Sequence, residues 1–261
     1  MKKCAVFTMV KNEKWFLPIW LNYYSKFFDE KDIYVINHAS TDDSIQIVKD
    51  QYPKINIVQL TYEPFDDIFK INEIKKLQSQ LLGQYMAVLY SDPDELIVPF
   101  IPDSDYIDLG QYIDHFIKHN HAESIKTNGW EIIHLPKKGE PRIDLTKSIL
   151  SQRSYWFHSP QWYSKVVLSK TPLNWSPGLH VTSNNFIEDP FLYLIHLHRI
   201  DYDLSYIKNI TNNCFKRPPG MELGNHVFIT NPDDFHKHFW GMEDSDIIQL
   251  IPDNLKKSEL F

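Results

Sequence analysis

Cysteine is nearly missing from this chain: Cys4 and Cys214 are the only two in 261 residues. They stand far apart and in no metal-ligand spacing, which excludes a cysteine zinc site and fits a reducing compartment with both thiols free. Glycine is scarce too, at 8 residues, and neither G-x-G-x-x-G nor a Walker sequence occurs. Any bound diphosphate must therefore be held by side chains and a cation. No run of lysine or arginine is present, and the net charge is −7 with a pI near 5.9, which argues against nucleic acid as a partner. No apolar stretch reaches membrane-spanning length, and Met1 to Phe7 is too briefly apolar for a signal peptide. The expectation is a cytoplasmic protein without a transmembrane segment, leaving peripheral membrane or synthase association open.

What is present is an ordinary globular composition, 43% hydrophobic and 23% charged, in a chain long enough for one large α/β domain. The stretch from Tyr85 to Pro99 organises the rest. An apolar run of strand length ends abruptly in Asp92-Pro93-Asp94-Glu95, which reads as a buried parallel strand delivering acids to a sheet edge. Two hard oxygen donors there, Asp92 and Asp94, suit Mn2+ or Mg2+ shared with a phosphate-bearing substrate. The bland alternative is an Asp-Pro-Asp turn closing a surface hairpin.

Strand and helix patterns alternate over the first hundred residues: strands at 4–9, 32–36 and 55–60, helices at 15–28, after 44, and at 68–84. That order predicts a parallel sheet with right-handed crossovers. Further on the pattern predicts a helix at 109–119, extended chain from 122, short aromatic strands at 149–168, a strand at 192–198 and a helix at 202–215. The remainder, divided by Pro218, Pro219, Pro232 and Pro252, reads as loops and short helices packing back. The expected division is a domain over 1–205 and a C-terminal extension over 206–261.

Loops after the first, second and acidic strands share one edge of a parallel sheet, the edge where such sheets bind ligands. Asn12, Glu13, Asn37, Asp42, Asp92 and Asp94 are thereby placed in one neighbourhood, able to hold a nucleoside diphosphate. Asn37 to Ser44 reads equally as a capped helix start. His196 and His198 alternate on a strand and face one side, so either can complete a metal shell, with His180 a further candidate. His115 and His119, like His236 and His238, read better as solvated helix faces. A proton-abstracting carboxylate is sought among Glu131, Glu188 and Asp189. Lys165 and Arg199 can neutralise diphosphate charge. Trp130, Trp156, Trp162 and Trp175 can stack on sugar faces or fill a core.

Val10-Lys11-Asn12-Glu13, the Trp/Leu-rich helix after it and Asn37-His38-Ala39-Ser40-Thr41-Asp42 together resemble the opening of family-2-type glycosyltransferases. Gln78-Ser79-Gln80-Leu81-Leu82 and Ser91-Asp92-Pro93-Asp94-Glu95 resemble that group's helix and D-x-D-E segment. Gly129 to His134, Gln152-Arg153, Lys165, Trp175 to His180 and the H-x-H-R-x-D run His196 to Asp201 look like later motifs of a bacterial branch. Asn37 stands where that group commonly has an acid, and Ala39 where it has glycine. The resemblance spans about residues 4 to 205. It implies a GT-A-like, mostly parallel central sheet flanked by helices, with a C-terminal helical and loop extension. It also implies transfer from a nucleotide-diphosphate sugar, bound in part by Gln78, to a glycan or other hydroxyl acceptor with inversion, Mn2+ or Mg2+ bridging Asp94 and the diphosphate, in surface glycan or polysaccharide synthesis. The rival readings are a metal-dependent nucleotidyltransferase and a non-catalytic carbohydrate- or protein-binding module.

Overall fold

The computed structural model describes residues 2–101, 108–119, 121–176, 178–217, 229, 231–241, 245–257 and 261. Pro177, Pro218 and Pro219, which the sequence reading placed in turns and loops, lie outside the described residues. The fold is α/β, an open sheet flanked by helices. β1 (Lys2–Val10), α1 (Leu17–Tyr24), β2 (Ile33–His38), α2 (Ser44–Gln51), β3 (Asn56–Leu60), α3 (Asp67–Leu82) and β4 (Tyr85–Tyr90) give the alternation read from the sequence. β1 pairs in parallel with both β2 and β4, and β2 with β3. The cause is local. β1 and β4 are buried along nearly their whole length, so both faces must be covered by helices, which crossover connections supply.

Beyond β4 the sheet becomes mixed. The apolar run ending in the acids is two strands: β4, then β5 (Glu95–Pro99), which pairs with a different strand. After α4 (Leu109–His119) come β6 (Ser124–Ile133), α5 (Ile149–Gln152), β7 (Tyr155–His158), α6 (Pro160–Tyr163), β8 (Val166–Ser169) and β9 (Ile187–Arg199). β8 joins β4 and β6 antiparallel, β6 pairs β7 antiparallel, and β9 lies antiparallel to β5 but parallel to β6. Gly129 lets the chain after α6 press onto β6: a Cβ there would meet the Ser164 nitrogen at 2.6 Å. α7 (Tyr202–Asn213) begins at Asp201, whose carboxylate accepts from the Asp203 and Leu204 nitrogens.

α8 (Pro232–Trp240), β10 (Ile248–Leu250) and α9 (Asp253–Lys257) follow. β10 adds an edge to the sheet through β7, and Phe261 packs against Tyr23 in the main core. A boundary between residues 205 and 206 thus falls inside α7. Among the described residues no helix is long and apolar enough to cross a membrane.

Candidate active site

Asp92-Pro93-Asp94 forms the tight turn between β4 and β5, closed by the Glu95 nitrogen donating to the Asp92 carbonyl at 3.0 Å. Because β4 and β5 are not partners of each other, this is no surface hairpin. Helix α1 pins the turn from beneath. Trp20 donates to Ser91 Oγ (2.8 Å), Ser91 donates to Tyr24 Oη (3.0 Å), and the Ile97 nitrogen donates to that same hydroxyl (3.0 Å). The turn faces a cavity of about 850 Å³ at the C-terminal ends of β1, β2 and β4. Among the described residues the carboxylates of Glu13, Asp92, Asp94 and Glu95 line it, as do the lysine and arginine side chains Lys11, Lys70, Lys165, Lys208 and Arg199.

Each wall carboxylate has a lysine partner. Lys165 Nζ lies 2.6 Å from both Asp92 Oδ2 and Glu95 Oε1, and Lys70 Nζ is 3.0 Å from Asp92 Oδ1. Lys208 Nζ reaches Asp94 Oδ2 at 2.9 Å and Glu13 Oε1 at 3.0 Å. Burial works against ionisation of Asp92, but Lys165 and Lys70 outweigh it and hold the carboxyl well below its usual range. Asp94 is likewise depressed, burial being overcome by Lys208 and then His196. Glu13 goes the other way: burial exceeds the pull of Lys208 and raises it to about 7.

A second layer rests on strand register. Glu95 of β5, His196 of β9 and Glu131 of β6 sit side by side across the sheet. His196 Nδ1 lies 2.5 Å from Glu131 Oε2 and its Nε2 3.5 Å from Asp94 Oδ2, while the Arg199 nitrogen donates to Glu131 Oε1 at 2.8 Å. Burial would lower the His196 pKa, yet Glu131 and Asp94 raise it to about 9, so at neutral pH it is an imidazolium. Tyr163 stacks on its ring at 4.7 Å.

The expected metal set does not close around an ion. Asp92 is engaged by two lysines and by Tyr90 Oη at 2.7 Å, Asp94 by Lys208. His196 is held between Glu131 Oε2 at 2.5 Å and Asp94 Oδ2 at 3.5 Å. His180 and His198 line the cavity and are neutral, His180 lowered to about 4 by burial and then Lys165, His198 lowered by burial and then His196. Among the described residues no three His, Cys, Asp or Glu side chains are grouped to hold a metal. The carboxylates that would receive the ion already carry ammonium groups, so the residues present do not fit one.

Other expected residues are placed elsewhere. Asn12 and Asp42 bind loop backbone: Asn12 Oδ1 accepts from the Thr41 nitrogen (2.7 Å) and Asp42 Oδ2 from the Lys14 nitrogen (3.1 Å). Asn37 donates to Gln59 (2.8 Å), and none of these three lines the cavity. α2 starts after Asp43 with no side-chain cap bond, so in this segment these side chains order the loop and do not cap the helix. Gln78 is buried under the sheet, accepting from the Leu173 nitrogen. Of the three base candidates, Glu131 is fully buried behind His196. Glu188 is exposed and pairs with Lys126, and Asp189 accepts from Tyr112, both outside the cavity. Arg199 reaches the wall but spends two bonds on the His238 and Phe239 carbonyls, fastening α8. Trp130, Trp156 and Trp175 are core residues, and Trp162 stands at the cavity, 66% exposed.

Lys208, Lys70, His38 and Tyr163 are cavity residues that sequence reasoning missed. Lys208 carries a faint signal, lying two turns beyond the Asp201 cap on a helix that follows the edge strand.

No family profile and no curated protein matches the sequence. Among solved structures the chain is similar to TarS of S. aureus, with 14% identity over 94% of this chain and 44% of that one and a TM-score of 0.42. It is also similar to TarS 1–349 in complex with UDP, with 15% identity over 93% and 72% and a TM-score of 0.42. A third structure is glucosyl-3-phosphoglycerate synthase from Mycobacterium tuberculosis with Mn2+, uridine diphosphate and glucosyl-3-phosphoglycerate, at 13% identity over 49% and 44% and a TM-score of 0.35. The chain spans less than half the length of the first TarS structure and of that synthase. At this distance the likeness assigns no activity to this chain.

Proposed function

We propose that this chain is a glycosyltransferase moving a sugar from a nucleotide-diphosphate donor to an acceptor hydroxyl with inversion, in the assembly of a surface glycan or polysaccharide. The observation that carries the reading is the cavity at the C-terminal edge of the parallel strands, whose wall combines the Asp92-Pro93-Asp94 turn with Lys11, Lys70, Lys165, Lys208 and Arg199. A diphosphate needs concentrated positive charge in a site shielded from water, and an open α/β sheet offers it at this edge. The volume is within the range of cavities that enclose small ligands. The sequence resemblance supplies the donor class.

In the reaction the acceptor oxygen forms a bond to the anomeric carbon as the bond from that carbon to the diphosphate oxygen breaks, its electron pair leaving with the diphosphate. Glu13 is suited to take the acceptor proton, since a carboxyl titrating near 7 both exists ionised at neutral pH and binds a proton well. Glu131 acts one step back, holding His196 charged and oriented beside Asp94. The divalent ion implied by the resemblance has no part in this reading, because lysines already close the carboxylates that would hold it.

The test is release of nucleoside diphosphate from uridine, guanosine and thymidine diphosphate sugars with a panel of glycan acceptors. Wild type releases one of them, and Asp94→Ala lowers that rate at least ~100-fold with far-UV circular dichroism retained, the loss typical of removing one preorganised charge at a reacting centre. Undiminished release by the variant, or silence with every donor, contradicts the reading. Glycan binding without turnover identifies a binding module, and consumption of a nucleoside triphosphate a nucleotidyltransferase.

A further inference from the structure

Lys208 is not singled out by the sequence, and the donor-site reading counts it only as one of several cations in the cavity wall. It projects from α7 into the cavity with its side chain only 11% exposed, and lies 4.5 Å over the Phe16 ring. Its ammonium joins two loops that the sheet topology brings together, Glu13 after β1 and Asp94 after β4. Asp94 is the second carboxylate of the D-x-D turn, the one to which the resemblance assigns the divalent ion. A cation is thus already seated there, supplied by the chain itself.

Three physical features make it a durable occupant. First, two carboxylates and burial fix its position, and their attraction raises its pKa despite desolvation, so it stays charged. Second, an ammonium has three N–H donors; Lys208 Nζ lies 3.0 and 3.2 Å from the two Glu13 oxygens and 2.9 Å from Asp94 Oδ2, so a phosphate oxygen can take the place of the longer Glu13 contact while one bond to each carboxylate is kept. Third, Asp92 on the other side of the turn is neutralised by Lys70 and Lys165, so an incoming ion would meet paired carboxylates and the cations that pair them.

We propose that Lys208 takes the place of the divalent cation: anchored on Asp94 and Glu13, its ammonium binds the donor's diphosphate and balances the charge of the departing group, so that donor binding and turnover need no metal. This rests on the glycosyltransferase reading and adds to it the identity of the diphosphate-binding cation. Lys208 keeps its protons throughout and donates hydrogen bonds only.

The test is calorimetric titration of uridine, guanosine and thymidine diphosphates into the protein, in EDTA and again in MnCl2. For whichever nucleotide binds, wild type keeps the same affinity within about threefold in the two buffers, too small a change to represent a charge-assisted contact. Lys208→Ala binds roughly 10- to 100-fold more weakly in EDTA, as expected on losing one charge-assisted bond. That variant, with Asp94 and Glu13 now open, regains affinity on adding Mn2+ and shows a Mn2+ site by electron paramagnetic resonance that wild type lacks. Wild-type binding that collapses in EDTA and returns with Mn2+ overturns the proposal while leaving a glycosyltransferase standing. If none of the three nucleotides binds in either buffer, the proposal and the reading beneath it both fail. The wild-type comparison holds whether or not the variant folds.

Discussion

His196 shows how much one side chain's surroundings decide. A histidine alternating with another on a strand reads from sequence as a neutral metal ligand, but register sets it between Glu95 and Glu131, and Asp94 approaches its far nitrogen. Those carboxylates, closing in from different strands, cannot be seen in the local sequence. Their sum turns a candidate ligand into a fixed cation. The pH consequence follows directly. The folded pKa of about 9 lies above the ordinary value of 6.5, so the stability His196 contributes is complete below about pH 6.5 and is lost as pH rises through about 9. The groups that face it are Glu131, Asp94 and Glu95, with neutral His198 and Tyr163 against the ring. Urea unfolding at pH 6.5 and pH 9.5 should show a loss on the order of 2 kcal/mol that is much reduced in His196→Gln. An equal loss in both proteins would show that His196 is not the titrating group. Ala39 is a smaller case: its φ of 48° is left-handed backbone, normally glycine's territory. The chain thus keeps the loop conformation of a glycine motif with alanine in its place.

Helices and strands were far more legible than the residues they carry. β1 through β4 and their helices follow the apolar periodicity closely, because buried parallel strands and amphipathic helices leave strong local patterns. The second half was harder. β7 and β8 are four residues each, and β10 three, too short for periodicity to register. Their places in the sheet depend on partners far away in sequence. The Tyr85 to Pro99 run concealed a change of partner at its acidic turn, since β4 and β5 are equally apolar and the break is carried only by Pro93 and the acids. Gly129 is where one element leans hardest on another. A Cβ would strike the Ser164 nitrogen at 2.6 Å and the Tyr163 carbonyl carbon at 2.7 Å, both backbone atoms of the segment that presents Tyr163 and Lys165 to the cavity. Gly129→Ala should therefore destabilise the chain by about 1–3 kcal/mol, read as a lowered urea midpoint, and weaken donor binding as well. An unchanged midpoint would mean that this contact is looser than the packing indicates.

Across the molecule, one sheet gathers loops from the first hundred residues and side chains from beyond residue 150 around a cavity. The α/β class and the edge that bears the acids could be read from the alternation of strands and helices. The occupants of that edge could not. Asn12, Asn37 and Asp42 turned inward to hold their own loops, whereas Lys208 arrives from a helix more than a hundred residues after Asp94. Charge balance in the cavity is a property of this whole arrangement, since each wall carboxylate finds its lysine on another element. Crystals soaked with uridine diphosphate or guanosine diphosphate in EDTA test this most directly. The diphosphate is expected at the C-terminal edge of β1 and β4, within hydrogen-bond distance of Lys208 Nζ. Nucleotide bound elsewhere, or a diphosphate at that edge out of reach of Lys208, would contradict it.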